Sequence, residues 1–202
     1  MQTPPGTDET DFPRLLEEIP LLYKARAFAD GLSASSWFMR LGETLDEREL
    51  SLARDYLDGL GFPEAEPAQL DDWSEAAEAA ETQDRDPAGW EAEEMLRAGL
   101  TERAPARLDE EALATVLNYV TAKAGESARD AAEDAAAMGG ATDEALINAA
   151  AGALVQAAHG AALVVLAEAG DENPPHPFLA RWRLFARGRW PVGLAGASYN
   201  IL

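Results

Sequence analysis

The chain has 202 residues, 47% of them hydrophobic, and a formal net charge of −21 at pH 7. Its length and hydrophobic content are most simply those of one domain. The absence of cysteine excludes disulfides, thiolate metal sites and cysteine nucleophiles. A body this acidic repels phosphate backbones, so we expect no binding to nucleic acid. Residues that typically start or end helices are frequent, and hydrophobic and polar residues do not alternate with a period of two over any useful length. The sequence therefore predicts an all-α, single-domain, multi-helix bundle over residues 1–202.

The amino-terminal segment differs from the rest in composition. Residues 1–12 are acidic and rich in Pro, Gly and Thr, without a basic end or an apolar run. We expect them to be disordered or loosely attached, and because they do not form a signal peptide we expect a cytoplasmic protein. A helix is predicted from about Pro13 to Asp30, interrupted or restarted at Pro20, and a short second helix from Ser33 to Leu41.

The middle of the chain is predicted to form further helices separated by connectors. Thr44 and Glu47 have the spacing of a capping box, which predicts a helix to about Asp58. Later in this region, Trp90 and Leu96 are expected to face inward. The other predicted elements are a connector over 62–67, a helix from Asp71 or Asp72 to about Gln83, a helix from Asp86-Pro87 to near Gly99, and a connector over 101–108.

The most informative stretch is a long segment without charge. Asp109 is predicted to open a long helix that Gly139 and Gly140 terminate, and a short link then leads to Ala145–Ala167, which has no charged residue in 23 positions. This Ala-rich segment is expected to be a buried helix at the centre of the bundle, antiparallel to the helix before it. It is long enough to cross a bilayer, but its alanines and acidic flanks are untypical of a spanning helix, so we expect no membrane partner.

Three polar side chains, Asn148, Gln156 and His159, lie on one arc of this helix, and the arc also lacks charge. Since an unpaired buried polar group costs on the order of 1–3 kcal/mol, we expect other helices to enclose the arc as a hydrogen-bond network. Two alternatives stay open. The arc is the wall of a pocket in which His159 titrates near neutral pH, or a second copy covers it in a homodimer.

Residues 171–202 combine the one basic cluster of the chain with an aromatic face. Pro177 is expected to begin a short helix to about Arg187 with Phe178, Trp182 and Phe185 on one side, and the apolar tail to fold back as extended chain. The aromatic face is predicted to pack on the bundle and the arginines to meet acidic side chains of residues 1–170, which orients the unit, and the alternative is an anion-binding site. The candidates for that site are His176, Arg181, Arg183, Arg187 and Arg189.

Four glutamates have a spacing that could form a metal site. Two pairs of carboxylates with i, i+3 spacing could hold Mg²⁺ if two neighbouring helices brought them together. The pairs are Glu75 with Glu78 and Glu91 with Glu94. In a chain with 37 acidic residues such spacing arises easily by chance, so a solvated face is the favoured interpretation and no cofactor is expected.

The sequence contains no serine nucleophile elbow, phosphate-binding glycine loop or dinucleotide fingerprint. The leading hypothesis is therefore a binding, interaction or regulatory module with a strongly acidic surface, whose partner is another protein or a second copy of the chain. The alternative is a Mg²⁺-dependent nucleotide pyrophosphohydrolase, a phosphoanhydride hydrolase that uses the four glutamates. Genome composition or a salt-adapted host would also explain the acidity without any partner.

Overall fold

The computed structural model describes residues 20–32, 36–85, 87–106, 108–167 and 176–202. These residues are mostly helical, which confirms the predicted multi-helix bundle, and they include one small three-stranded sheet. The expectations for residues 1–12 and for a helix start at Pro13 lie outside the described residues. The helices are α1 (Pro20–Leu32), α2 (Glu47–Leu60), α3 (Trp73–Arg85), α4 (Ala88–Arg103), α5 (Glu110–Gly139), α6 (Glu144–Ala167) and α7 (Pro177–Ala186). The strands are β1 (Glu66–Gln69), β2 (Pro191–Ala195) and β3 (Ser198–Ile201).

The helical hairpin of α5 and α6 forms the centre of the bundle. Asp109 caps the start of α5 by accepting a hydrogen bond from the backbone N–H of Ala112, and Gly140, with a φ of +72°, ends it. Alanines of α5, including Ala128 and Ala132, are buried against α6. Leu154 of α6 is fully buried in the same core, as the predicted central helix requires. Small side chains on the facing surfaces let the two helices approach closely.

The carboxyl-terminal tail returns to the bundle as a β-hairpin. Strand β3 lies between β2, with which it pairs antiparallel, and β1, with which it pairs parallel. This confirms the predicted return of the tail as extended chain, but the sheet itself was not predicted. Strands β2 and β3 are buried on both faces over most of their length, so their sequence shows no alternation.

Two predicted boundaries were wrong at the start of the bundle. Residues 37–42 form turns instead of a helix, and Phe38 has a φ of +59°, which no right-handed helix accommodates. The capping box lies two residues later than predicted. Asp46 accepts from the backbone N–H of Glu49, and the Glu49 side chain accepts from the backbone N–H of Asp46, so α2 begins at Glu47.

Two details of the middle region also need correction. Trp90, predicted to face inward, is 57% exposed, because the buried side of α4 is formed instead by Ala92, Glu93 and Leu100. The helix also continues past Gly99 to Arg103, and a 3₁₀ turn then spans Ala104–Ala106 where a connector was expected.

Helix α6 is the one described helix whose length and composition would allow it to cross a bilayer, and 61% of its most apolar window is buried inside the fold. The core helix of a water-soluble protein has the same length and composition, so this finding does not assign α6 to a membrane.

Candidate functional site

The polar arc of α6 is open, so the expected enclosure by other helices of the chain is wrong. Asn148 and Gln156 are exposed and His159 is half-buried. Asn148 accepts a hydrogen bond at 2.7 Å from the guanidinium of Arg129, which lies on α5. Burial, helped by the nearby charge of Arg97, lowers the pKa of His159 and favours its neutral form. Cover by a second copy of the chain stays a prediction.

Arg181 belongs to a buried cluster that joins α7 to α4 and α2. Its guanidinium donates to both carboxylate oxygens of Glu93, at 2.6 and 2.8 Å, and the hydroxyl of Tyr56 donates to the same carboxylate. The ring of Tyr56 stacks on Tyr199 with centroids 4.6 Å apart. Burial opposes the charge of Arg181, but Glu93 outweighs it and raises the pKa of the guanidinium. The cluster is closed to solvent, so it stabilises the fold and leaves no room for an anion.

Arg189 is fully buried in a second cluster near the start of α2. It donates to Glu49 at 3.0 Å and to the backbone carbonyl oxygens of Glu43 and Thr44. Arg40 and Arg187 contact the other oxygen of the same carboxylate. Burial raises the pKa of Glu49, but the hydrogen bonds from Arg189 and from the Asp46 backbone outweigh it and lower the pKa. These ion pairs are of the kind predicted for the docking of residues 171–202, because each of the acids lies in the first 170 residues.

The other two anion candidates lie elsewhere on the same unit. The side chain of His176 caps α7 by accepting from the backbone N–H of Phe178, and Arg183 is half-buried. With Arg181, Arg187 and Arg189 already bound to carboxylates, the five residues do not form a common cationic site.

The four glutamates of the magnesium hypothesis are not gathered. Glu75, Glu78 and Glu91 are exposed, while Glu94 pairs with Arg97 one turn further along α4. In the part of the chain that the structure describes, no group of three or more His, Asp or Glu side chains could hold a metal ion. The i, i+3 spacing therefore leads to solvated helix faces here.

A groove that the sequence did not predict runs past the first residue of α3. It consists of two neighbouring cavities of about 270 and 310 Å³ that share Asp72, Trp73 and Gly139. One lies between the turn that carries Met39 and the end of α5, and the other runs over the α5–α6 turn. We call this feature the Trp73 groove.

Local structure explains why the indole lies at the bottom of the groove. Asp72 caps α3 by accepting from the backbone N–H groups of Ser74 and Glu75, which places Trp73 in the first turn. The indole then packs on Trp190 with ring centroids 5.3 Å apart. A Cβ at Gly139 would lie 2.7 Å from the Cδ1 atom of the Trp73 indole, so the end of α5 can pass this ring only as glycine.

Methionines form the outer walls of the Trp73 groove. Met138, in the last turn of α5, is 69% exposed, and Met39 is 60% exposed on the opposite side. The left-handed conformation of Phe38 directs its ring into the core, where it meets Phe185 edge-on at 6.0 Å. The neighbouring residue, Met39, is thereby left at the surface.

Aspartates surround this apolar surface. Asp71, Asp72 and Asp143 are exposed, and the lining of the groove contains no lysine or arginine. Among the described residues, Oδ1 of these carboxylates accepts from Gln69 and from backbone N–H groups at the starts of α3 and α6. None of the three forms an ion pair with a described basic residue, so the two helix starts offset their negative charge only in part.

Sequence reasoning missed this site because its parts are far apart in the chain. Asp71 and Asp72 were recognised only as possible helix caps, and Met39 was placed in a helix. A signal was present at Met138, a large apolar residue outside the buried alanine stripe of α5, directly before a glycine pair. Comparisons of the chain with protein-family models, with curated proteins and with solved structures found no match.

Proposed function

We propose that this protein is a binding module that docks a basic partner protein on its acidic surface. One observation carries the proposal: two arginines of the carboxyl-terminal cluster are buried instead of lying on the surface. Arg181 and Arg189 are paired with Glu93 and Glu49 in the interior, so they do not offset the acidic exterior. Exposed acids such as Glu111, which faces solvent on α5, therefore belong to a surface dominated by one sign of charge.

A surface of this kind favours a particular mode of recognition. The net charge of −21 attracts positively charged proteins over a distance of about 8–10 Å at physiological ionic strength and repels acidic ones. Such fields accelerate encounter and reject partners of the wrong sign more than they add affinity. Contact surfaces without charge must then supply the affinity and the specificity.

The alternative function, a Mg²⁺-dependent pyrophosphohydrolase, has no observation in its favour. It would need the carboxylates of α3 and α4 to converge, and Glu94 is instead paired with Arg97.

The proposal is tested by measuring the fluorescence anisotropy of labelled peptides of equal length that carry positive, zero or negative charge. We expect the cationic peptide alone to bind, with an affinity that falls steeply as salt rises from about 50 to 500 mM. Equal binding of the neutral peptide, or no binding of the cationic one at low salt, would contradict the proposal.

A thermal-shift screen with Mg²⁺, Mn²⁺ and nucleotides tests the enzyme alternative alongside it. A stabilising shift that disappears in Glu78→Gln and Glu91→Gln would favour the hydrolase. Under the binding-module proposal no such shift is expected.

A further inference from the structure

We infer that the Trp73 groove is the site that selects the partner: it takes one large apolar side chain from a basic, amphipathic segment of another protein, and lysine or arginine residues flanking that side chain meet the aspartates. This inference rests on the proposed function and adds the place of contact and the chemistry of the ligand. Three features of the groove carry it: its apolar walls, its charge and its shape.

The apolar walls are exposed without a role in the core. Met138 and Met39 are 69% and 60% exposed and line the same cavity as the buried ring of Trp73. The chain has four methionines in all, and two of them lie here. The unbranched thioether side chain adapts to different apolar shapes and makes favourable contacts with aromatic rings, which is why methionine is frequent on peptide-binding surfaces.

The charge of the groove selects a cation. Asp71, Asp72 and Asp143 line the groove together with its apolar residues, and no lysine or arginine lies in that lining. The amino-terminal ends of α3 and α6 both face this region and would otherwise attract an anion. Asp72 and Asp143 already cap these two ends with their own carboxylates, so a phosphate or an acidic peptide would meet negative charge.

The shape of the groove suits a side chain on a peptide more than a free small molecule. Its two cavities, of about 270 and 310 Å³, are open to solvent, so they would leave much of a small molecule exposed, whereas typical small-molecule pockets enclose most of the ligand. A protein segment can seat one anchor there and lay its basic residues along the aspartates of the rim. Buried apolar anchors with a polar surround are the usual source of affinity in such contacts.

Two peptides of equal positive charge separate the anchor from the electrostatic attraction. The first is a Lys/Leu peptide of about 18 residues with leucines at helical spacing, and the second replaces each leucine with glutamine. Anisotropy at about 150 mM salt is measured for the wild type, for the double variant Met39→Gln/Met138→Gln, and for the control Met95→Gln. Met95 is 71% exposed on α4, outside the groove, and none of the methionine substitutions changes the charge of the protein.

We expect the Lys/Leu peptide to bind the wild type more tightly than the Lys/Gln peptide, and the double variant to lose about tenfold in affinity for the Lys/Leu peptide alone. Met95→Gln should bind like the wild type. Asp71→Asn should weaken both peptides and reduce the dependence of affinity on salt.

The failures of the two proposals are distinguishable. If both peptides bind equally and the double variant changes nothing, the groove is not the anchor site and the acidic binding module stands. An equal loss in Met95→Gln would also overturn the groove. If neither cationic peptide binds even at about 50 mM salt, both proposals are wrong. Unchanged melting temperatures of the variants would show that folding is not the cause of any loss.

Discussion

The arginine cluster of the carboxyl-terminal unit and the aspartates of the Trp73 groove are both concentrations of one charge, but the fold treats them in opposite ways. Arg189 is fully buried, and its guanidinium bonds to Glu49 and to backbone carbonyl oxygens. Asp71 and Asp143 are exposed, and each uses Oδ1 for a hydrogen bond near its own place in the chain. The charge of Arg189 is paired within the chain, whereas the aspartates carry negative charge that a partner outside the chain can meet.

This difference separates charges that stabilise the fold from charges that are available to a partner. A cation that is buried beside its carboxylate cannot change partner without unfolding, because leaving either group alone in the interior is costly. Asp72 and Asp143 cap their helices through Oδ1 and remain exposed, so their charge is accessible to a partner. Substitutions in the two groups should therefore affect the stability of the fold very differently.

Deletion of residues 176–202 should abolish cooperative folding. It removes buried aromatic rings, among them Phe185, Trp190 and Tyr199, and it takes the buried arginines Arg189 and Arg181 away from Glu49 and Glu93. Circular dichroism during heating should show no sharp transition. A truncated protein that kept the full melting temperature would make the unit an independent arm and would return its arginines to ligand binding.

Glu49→Gln should lower the free energy of unfolding by about 3–5 kcal/mol, because it leaves the guanidinium of Arg189 buried without a counter-charge. Urea denaturation measures this change. Glu47→Gln is the matched control, since Glu47 lies in the same turn of α2 but is exposed, and it should cost less than about 0.5 kcal/mol. Equal costs for both variants would show that the buried pair has no special role.

Leu154→Ala should lower the free energy of unfolding by about 2–5 kcal/mol, the usual cost of truncating a fully buried leucine. Gln156→Ala, two residues later on the open arc, should change it by less than about 0.5 kcal/mol. Denaturant titration of both variants maps the boundary between the buried and open faces of α6. A cost below about 0.5 kcal/mol for Leu154→Ala would place that face at the surface.

The stability of the protein should depend on the protonation of His159 below neutral pH. Burial and Arg97 lower the pKa of this side chain in the folded state, so the unfolded chain binds the proton more readily. The free energy of unfolding should therefore fall as the pH drops below the ordinary histidine pKa of about 6.5. His159→Gln should make this dependence shallower between about pH 7 and 5.5, and parallel curves would refute the idea.

Met138→Gln should change the free energy of unfolding by no more than about 0.5 kcal/mol, because the side chain is mostly exposed. Met95→Gln should behave alike. The stability of the fold would then not require a methionine at the groove, whereas it does require the buried arginine pairs. A loss above about 1 kcal/mol in Met138→Gln would instead make the groove wall part of the core.

Local signals were enough to predict the helical hairpin, but not the sheet. Asp109, Gly140 and the charge-free run after it act within a few residues, so α5 and α6 could be derived from sequence. The capping box was misplaced because Thr44 with Glu47 and Asp46 with Glu49 both satisfy the pattern. The choice between them depends on Arg189, which reaches Glu49 from the far end of the chain.

The candidate site shows the same limit. A lack of charge around Asn148 and Gln156 was taken for burial, although a small uncharged face can also remain exposed. Met39, Trp73 and Met138 meet only in three dimensions, and nothing in the spacing of these residues indicates a shared cavity. The caps that line the groove were within reach of sequence analysis, but the groove was not.

The parallel pairing of β1 with β3 has a consequence for the order of folding. Glu66 is aligned with Ser198, so β1 can join the local β2–β3 hairpin only by closing a loop that contains most of the described chain. Contacts between distant segments carry a large entropy of loop closure and slow the folding of a chain, whereas a helical hairpin such as α5–α6 closes locally and fast. We therefore expect the α5–α6 hairpin to gain amide protection early in refolding and β1 to gain it last. Pairing of β1 with β3 would then be the final step in the folding of a mostly helical protein.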